Sequence, residues 1–127
     1  MFEGDKKNLD FIVKKISKLK GVSAIFLFGS QSNGKSRRDS DIDLAILTKD
    51  ISRKKELEIV GYGNEKMDIS IFSDLPLIIQ FRVLSEGKLL FCKNSKEIHD
   101  IKIKVFRDYL DYSVFINSFY KRVIQNV

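Results

Sequence analysis

Residues 29–47 read GSQSNGKSRRDSDIDLAIL, and the fold turns on how they are interpreted. The stretch leaves an apolar run through a Gly-Ser step and crosses a loop rich in glycine, serine and cations. It then enters a second apolar run carrying two aspartates one residue apart. Upstream, residues 24–28 (AIFLF) are unbroken apolar, which fits a strand covered on both faces, although so short a run also fits a buried helix segment. Gly29 lets the backbone turn sharply and approach a ligand closely, because it has no Cβ. With Ser30 opening a short helical turn over residues 31–33, its hydroxyl and the free N–H groups there form an anion site for phosphate oxygens. Lys35, Arg37 and Arg38 add positive charge beside it.

Asp41 and Asp43 are spaced i, i+2, which on a strand puts both on one face roughly 6 to 7 Å apart along the chain. Ile42 and Leu44 then point the other way, into a core. Two carboxylates aimed at one point repel, and apolar surroundings raise the cost of keeping both ionised unless a cation lies between them. Hard oxygen ligands that leave room for water and phosphate describe a magnesium site, with one ion or two about 3.5 to 4 Å apart. The arrangement suits a magnesium-bound nucleoside triphosphate.

Such a site commonly takes a third carboxylate from an adjacent strand. Residues 67–72 (MDISIF) have strand composition, with Asp68, Ser70 and Phe72 on one face and Met67, Ile69 and Ile71 on the other. Asp68 is an acid inside an otherwise apolar strand. It joins the site if that strand lies beside the one carrying Asp41 and Asp43.

Gly29-Ser30 followed by Ser40-Asp41-Ile42-Asp43-Leu44, with Asp68 on a later strand, resembles the DNA polymerase beta-type nucleotidyltransferase superfamily. The small size and the order of elements resemble, more narrowly, the minimal nucleotidyltransferases, MNT proteins of the MntA antitoxin type. The likeness runs over most of the chain, because a helix ending in Glu86-Gly87 and followed by Lys88-Leu89-Leu90-Phe91 matches the family's glycine-then-strand ending. One departure is Gln31, where many relatives carry an arginine, so that triphosphate contacts rest more on Arg37. The resemblance implies an α/β (α+β) fold: a small mixed sheet flanked by helices, with a long helix at the C-terminus.

Length and composition agree with a single domain over residues 1–127, large enough for a core but not for a second domain of comparable size. One cysteine, Cys92, excludes an intrachain disulfide and fits a reducing cytosol, so a cytoplasmic location is expected. No apolar stretch approaches the roughly 18 residues of a membrane span, and the charged start shows no secretory signal. The net charge of +6 invites a nucleic-acid reading, but 14 basic and 10 acidic side chains lie in residues 1–66 and 9 and 7 in the remainder. Charge spread in this way is a solvated surface, and direct nucleic-acid binding is not expected.

Asp5 can cap a first helix with apolar positions Leu9, Ile12, Val13, Ile16 and Leu19, and Gly21 is placed to end it. Residues 52–60 read as a short charged helix anchored by Leu57 and Val60, and residues 61–64 (GYGN) as a turn. Tyr62 is open to two readings, stacking on a nucleotide base or packing at the surface. Asp74 with Pro76 marks a further helix start, with Leu77, Ile78, Phe81 and Leu84 buried and Gly87 at its close. Arg82 reads as an exposed helix arginine. Residues 88–92 then supply an edge strand.

Residues 95–125 form one long helical pattern without Gly or Pro. Val105, Tyr109, Tyr112, Ile116, Phe119 and Val123 make one apolar stripe, which Phe106, Leu110, Val114 and Phe115 widen. Such a surface serves the domain's own core, a partner interface, or each along different turns. His99 is the only histidine, which excludes an imidazole-built metal site and a serine-histidine triad. No arginine lies a few residues before it, so the arginine-to-histidine ribonuclease motif of HEPN toxins is absent.

The resemblance implies AMP transfer from ATP. Gly29, Ser30, Arg37 and Ser40 are expected to hold the nucleotide, and Asp41, Asp43 and Asp68 to bind magnesium and perform catalysis. It implies further that the acceptor is a tyrosine of a partner HEPN-domain toxin, with this chain as the antitoxin. Two rival readings stand beside it: transfer to a small hydroxylated compound such as an antibiotic, and a weak or inactive module that acts by binding a toxin or nucleic acid.

Overall fold

The computed structural model describes residues 3–29 and 42–125. Its elements are α1 (Glu3–Ser17), β1 (Val22–Phe28), β2 (Ile42–Thr48), α2 (Arg53–Val60), β3 (Met67–Ile71), a 3-10 turn (Phe72–Asp74), α3 (Leu77–Glu86), β4 (Lys88–Cys92) and α4 (Ser95–Gln125). The strands form one sheet in the order β3-β2-β1-β4. β1 pairs antiparallel with β2 and with β4, whereas β2 and β3 run parallel. A parallel pair cannot be joined by a tight hairpin, and α2 supplies the crossover.

The sheet divides two cores, which is why its central strands are apolar at nearly every position. Val22, Ile25 and Leu27 of β1, Ile42, Leu44 and Ile46 of β2, and Met67, Ile69 and Ile71 of β3 face α1 and α2, meeting Leu9, Ile16 and Ile59. Ala24, Phe26, Ala45, Leu47 and Phe72 face the opposite way, against Val83 and Leu84 of α3 and Ile98 and Val105 of α4. Cys92 packs against the second core, and β4 is an edge strand as expected.

Several local expectations are corrected. α1 begins at Glu3, so Asp5 lies inside the first turn rather than at the cap. α1 ends at Ser17, and Gly21 serves the turn into β1 with φ +93°. α2 is capped by Ser52, whose hydroxyl accepts from the Lys55 N–H, but its buried anchor is Ile59. Leu57 is 54% exposed and Val60 only partly covered. Asp74 does not cap α3; its carboxylate accepts from Arg53 Nη1 at 2.7 Å, and Pro76 occupies the cap position. That carboxylate, with Glu56, raises the Arg53 guanidinium above its ordinary value. Ile78 is exposed, while Leu77 and Phe81 are partly covered.

α4 covers the second core along its first turns and leaves an apolar surface exposed along its later ones. Ile98 and Val105 are buried, Phe106 packs on the second core, and Phe81 of α3 stacks on Tyr109 with ring centroids 4.0 Å apart. Beyond Tyr109 the cover thins: Leu110, Val114, Phe115 and Ile124 are between 59% and 71% exposed. The 31 residues of α4 extend roughly 46 Å, twice the roughly 23 Å of a seven-residue strand, so one sheet cannot cover them.

Candidate active site

Side-chain alternation along β2 sends Ile42 and Leu44 into the α1/α2 core and leaves Asp43 on the α3/α4 face with Ala45 and Leu47. The same alternation in β3 buries Met67 and Ile69 and leaves Asp68 exposed on that face. The parallel register makes Asp43 and Asp68 direct partners. Neighbouring strands lie about 4.8 Å apart, so the two carboxylates leave adjacent backbones in the same direction. The expected adjacency of the two strands is therefore present.

Hydrogen bonds at the mouth of the strands set this register. Ile42 N–H donates to Lys66 C=O at 2.8 Å, tying the first residue of β2 to the approach to β3. That approach is a tight turn in which Asn64 and Met67 exchange backbone hydrogen bonds and Lys66 N–H donates to Asn64 Oδ1 at 2.9 Å. A Cβ on Gly63 would lie 2.8 Å from Met67 C=O, so the turn closes tightly just before Asp68.

Gly29 follows Phe28, the β1 residue paired with Asp43. It has φ +81°, and a Cβ there would lie 2.6 Å from Asp43 Oδ2. The glycine thus does more than turn the chain, since it leaves room for the Asp43 carboxylate. Residue type points to the sharp turn and to close approach of a ligand, not to room for a carboxylate. The second role depends on the β1–β2 pairing, for which no local signal exists.

Ser30, Gln31, Lys35, Arg37, Arg38, Ser40 and Asp41 lie outside the described residues, and with them most of the expected phosphate cradle. Among the described residues no group of three acidic, histidine or cysteine side chains is gathered; the pair Asp43 and Asp68 is what they contribute. Two carboxylates on adjacent strands, one half-buried and one exposed, form an oxygen donor set open to solvent, which suits a hard divalent cation that keeps water and phosphate ligands.

Tyr62 belongs to the opposite side of the sheet. It packs against the α1/α2 core with Lys15 Nζ 4.7 Å from its ring centroid, which decides for surface packing over base stacking. Arg82 is exposed beside Glu86, and His99 is exposed near the start of α4, both as expected.

The family model described as "Polymerase beta, Nucleotidyltransferase" matches residues 11–96. A Methanocaldococcus jannaschii protein named "Putative protein adenylyltransferase" is 37% identical over 70 residues, 55% of this chain and 56% of that protein, so the chain spans about half the length of this curated relative. A solved toxin–antitoxin structure with AMP-PNP aligns at TM-score 0.71 and 20% identity, over 93% of this chain and 97% of that one. A tri-AMPylated Shewanella oneidensis HEPN toxin in complex with MNT antitoxin aligns at 0.68 and 19%, over 94% and 98%. At these identities the solved structures establish the fold. No helix among the described residues is long and apolar enough to cross a membrane. With the family model spanning both the β1–Gly29 turn and the Asp43–Asp68 pair, the chain belongs to the polymerase beta nucleotidyltransferase family.

Proposed function

We propose that this chain is a magnesium-dependent nucleotidyltransferase that moves AMP from ATP to a tyrosine hydroxyl of a HEPN-domain partner, acting as the antitoxin of the pair. The observation that carries the reading is the register of Asp43 against Asp68, with Gly29 closing on the Asp43 carboxylate. The names of its relatives support the rest: an adenylyltransferase among curated proteins, and an MNT antitoxin complexed with an AMPylated HEPN toxin among solved folds.

In this reading the N–H groups after Gly29, with Ser30, Ser40 and Arg37, bind and orient the triphosphate. Asp43 and Asp68, joined by Asp41, hold the divalent ion, which compensates phosphate charge when bound. Asp68, the more exposed carboxylate, takes the proton of the acceptor hydroxyl as its oxygen attacks the α-phosphorus in line. The bond to the β-phosphate breaks, and pyrophosphate carries away the leaving charge. Rate enhancement rests on positioning and electrostatics, without a covalent protein intermediate.

Residues 1–127 act as one domain, and the free half of α4 is the surface for the partner. Leu110, Phe115, Phe119 and Ile124 are exposed there, and aromatic side chains such as the two phenylalanines are enriched at protein interfaces. Co-expression with a HEPN-domain protein encoded beside it, followed by intact-mass and peptide analysis, tests the reading. Whole AMP increments on a partner tyrosine, lost in Asp43→Asn, are expected. An unmodified partner that is nevertheless bound and silenced favours inhibition by contact alone and overturns the transfer reaction.

A further inference from the structure

The end of the sheet farthest from the carboxylates carries an open groove of about 610 Å³, formed where three connections meet: α1 to β1, β2 to α2, and β4 to α4. It lies at the start of β1, whereas Gly29 follows the end of that seven-residue strand, so roughly 20 Å separates it from the proposed active site. Nothing in the transfer reaction uses it.

A break in β1 gives the groove a polar floor. Val22 pairs with Thr48 and Ala24 with Leu47, which leaves Ser23 as an extra, unpaired residue. Val22 belongs to the α1/α2 core and Ala24 to the opposite core, so the irregularity occurs where the strand changes faces. Bulges of this kind re-aim a side chain. Ser23 lines the groove beside the first turns of α4 and is only 4% exposed. Its carbonyl accepts from Lys93 N–H at 2.8 Å, but its hydroxyl makes no hydrogen bond among the described residues. A buried hydroxyl without a partner is unfavourable, and a ligand in the groove would relieve that.

The rest of the lining selects the sign of that ligand. The N-terminus of α4, a 31-residue helix, opens into the groove through Asn94 and Ser95. Asn94 Oδ1 accepts from the Lys96 N–H, whereas the Ser95 N–H has no partner among the described residues. Lys20, Lys49 and Lys93 line the walls against Asp50 and Glu97, and Lys49 lies 3.7 Å from Glu97. One pair is thereby neutralised, and the cations remain in excess by one. A hydroxyl donor, a free helix N–H and mobile ammonium groups around an open cleft match the three-oxygen face of a phosphate group.

We propose that this groove binds a phosphate group, supplied as free phosphate or by a small nucleotide, at a site separate from the carboxylate pair. The proposal does not depend on the transfer reaction. The test is an amide-resolved NMR titration of the full chain with inorganic phosphate and, in a second arm, AMP, with chloride holding ionic strength constant. Saturable shifts at Ser23, Ser95 and Lys96 are expected, retained in Asp43→Asn. Ser23→Ala is expected to weaken binding about tenfold, the worth of one hydrogen bond to a charged group. Lys20→Ala combined with Lys93→Ala should weaken it further; both lysines are exposed, so this variant tests the site even where the serine change disturbs the strand. Tighter binding of AMP than of phosphate names a nucleotide as the source, and the reverse names free phosphate. Shifts that do not saturate, that appear only near Gly29 and Asp43, or that survive both variants overturn the proposal.

Discussion

Oδ2 of Asp43 lies 2.6 Å from where a Cβ on residue 29 would stand, so Gly29 and the Asp43 carboxylate compete for the same space. Gly29→Ala faces this clash together with φ +81°. It should lower stability by about 1 to 3 kcal/mol, read from urea midpoints. Because relief of the clash requires the carboxylate to move, transfer should fall by more than the loss of folded protein explains. A variant with wild-type midpoint and wild-type rate would show that the close approach has no consequence.

Asp43 and Asp68 meet across a parallel strand pair. Asp43→Asn and Asp68→Asn should each slow AMP transfer on the order of a thousandfold or more, measured as initial rates at saturating ATP and magnesium. Full activity in both would remove the carboxylates from the reaction.

Magnesium with ATP should raise the melting temperature of the wild type. Ligand at about 100 times its Kd stabilises by about 2.7 kcal/mol. Chelation should abolish the shift, and Asp43→Asn should blunt it. A shift of equal size without divalent ion would argue for nucleotide binding through the cationic loop alone.

The α2 anchor provides a test of packing. Ile59 is 2% exposed, and Ile59→Ala should cost about 2 to 5 kcal/mol. Leu57, 54% exposed, should change stability by less than about 0.5 kcal/mol on truncation to alanine. Denaturant titration of the two variants decides between them.

On α4, Phe115→Glu with Phe119→Glu should leave the isolated chain's stability within about 0.5 kcal/mol, because neither ring is covered by the domain. Co-purification with the proposed HEPN-domain partner should be lost. A partner still bound with full affinity would place the interface elsewhere.

Much of the framework was legible in the chain. An unbroken apolar run marked β1, an apolar run carrying an aspartate marked β2, alternation marked β3, and Gly87 marked the boundary between α3 and β4. The full extent of α4 also followed from residue type, because helical periodicity is local. The errors were local too, but each had a distant cause. Asp74 looked like a helix cap until Arg53, twenty-one residues away, claimed its carboxylate. Leu57 and Ile59 are equally apolar, and only docking of α2 on the sheet decides which is buried.

By itself the sequence determined that an acid-bearing strand follows a glycine-serine turn, that a second acid-bearing strand comes later, and that the final helix carries more apolar surface than one small sheet needs. Hydrophobic period and residue chemistry suffice for those statements. Tertiary structure alone decided that Asp43 faces Asp68 in register, that Gly29 yields its space to a carboxylate, that α4 is mostly uncovered beyond Tyr109, and that Ser23 is buried in the lining of a groove. Each of these depends on strand pairing or on docking between distant segments, and such contacts follow from the sum of packing over the chain, which no single window of residues encodes.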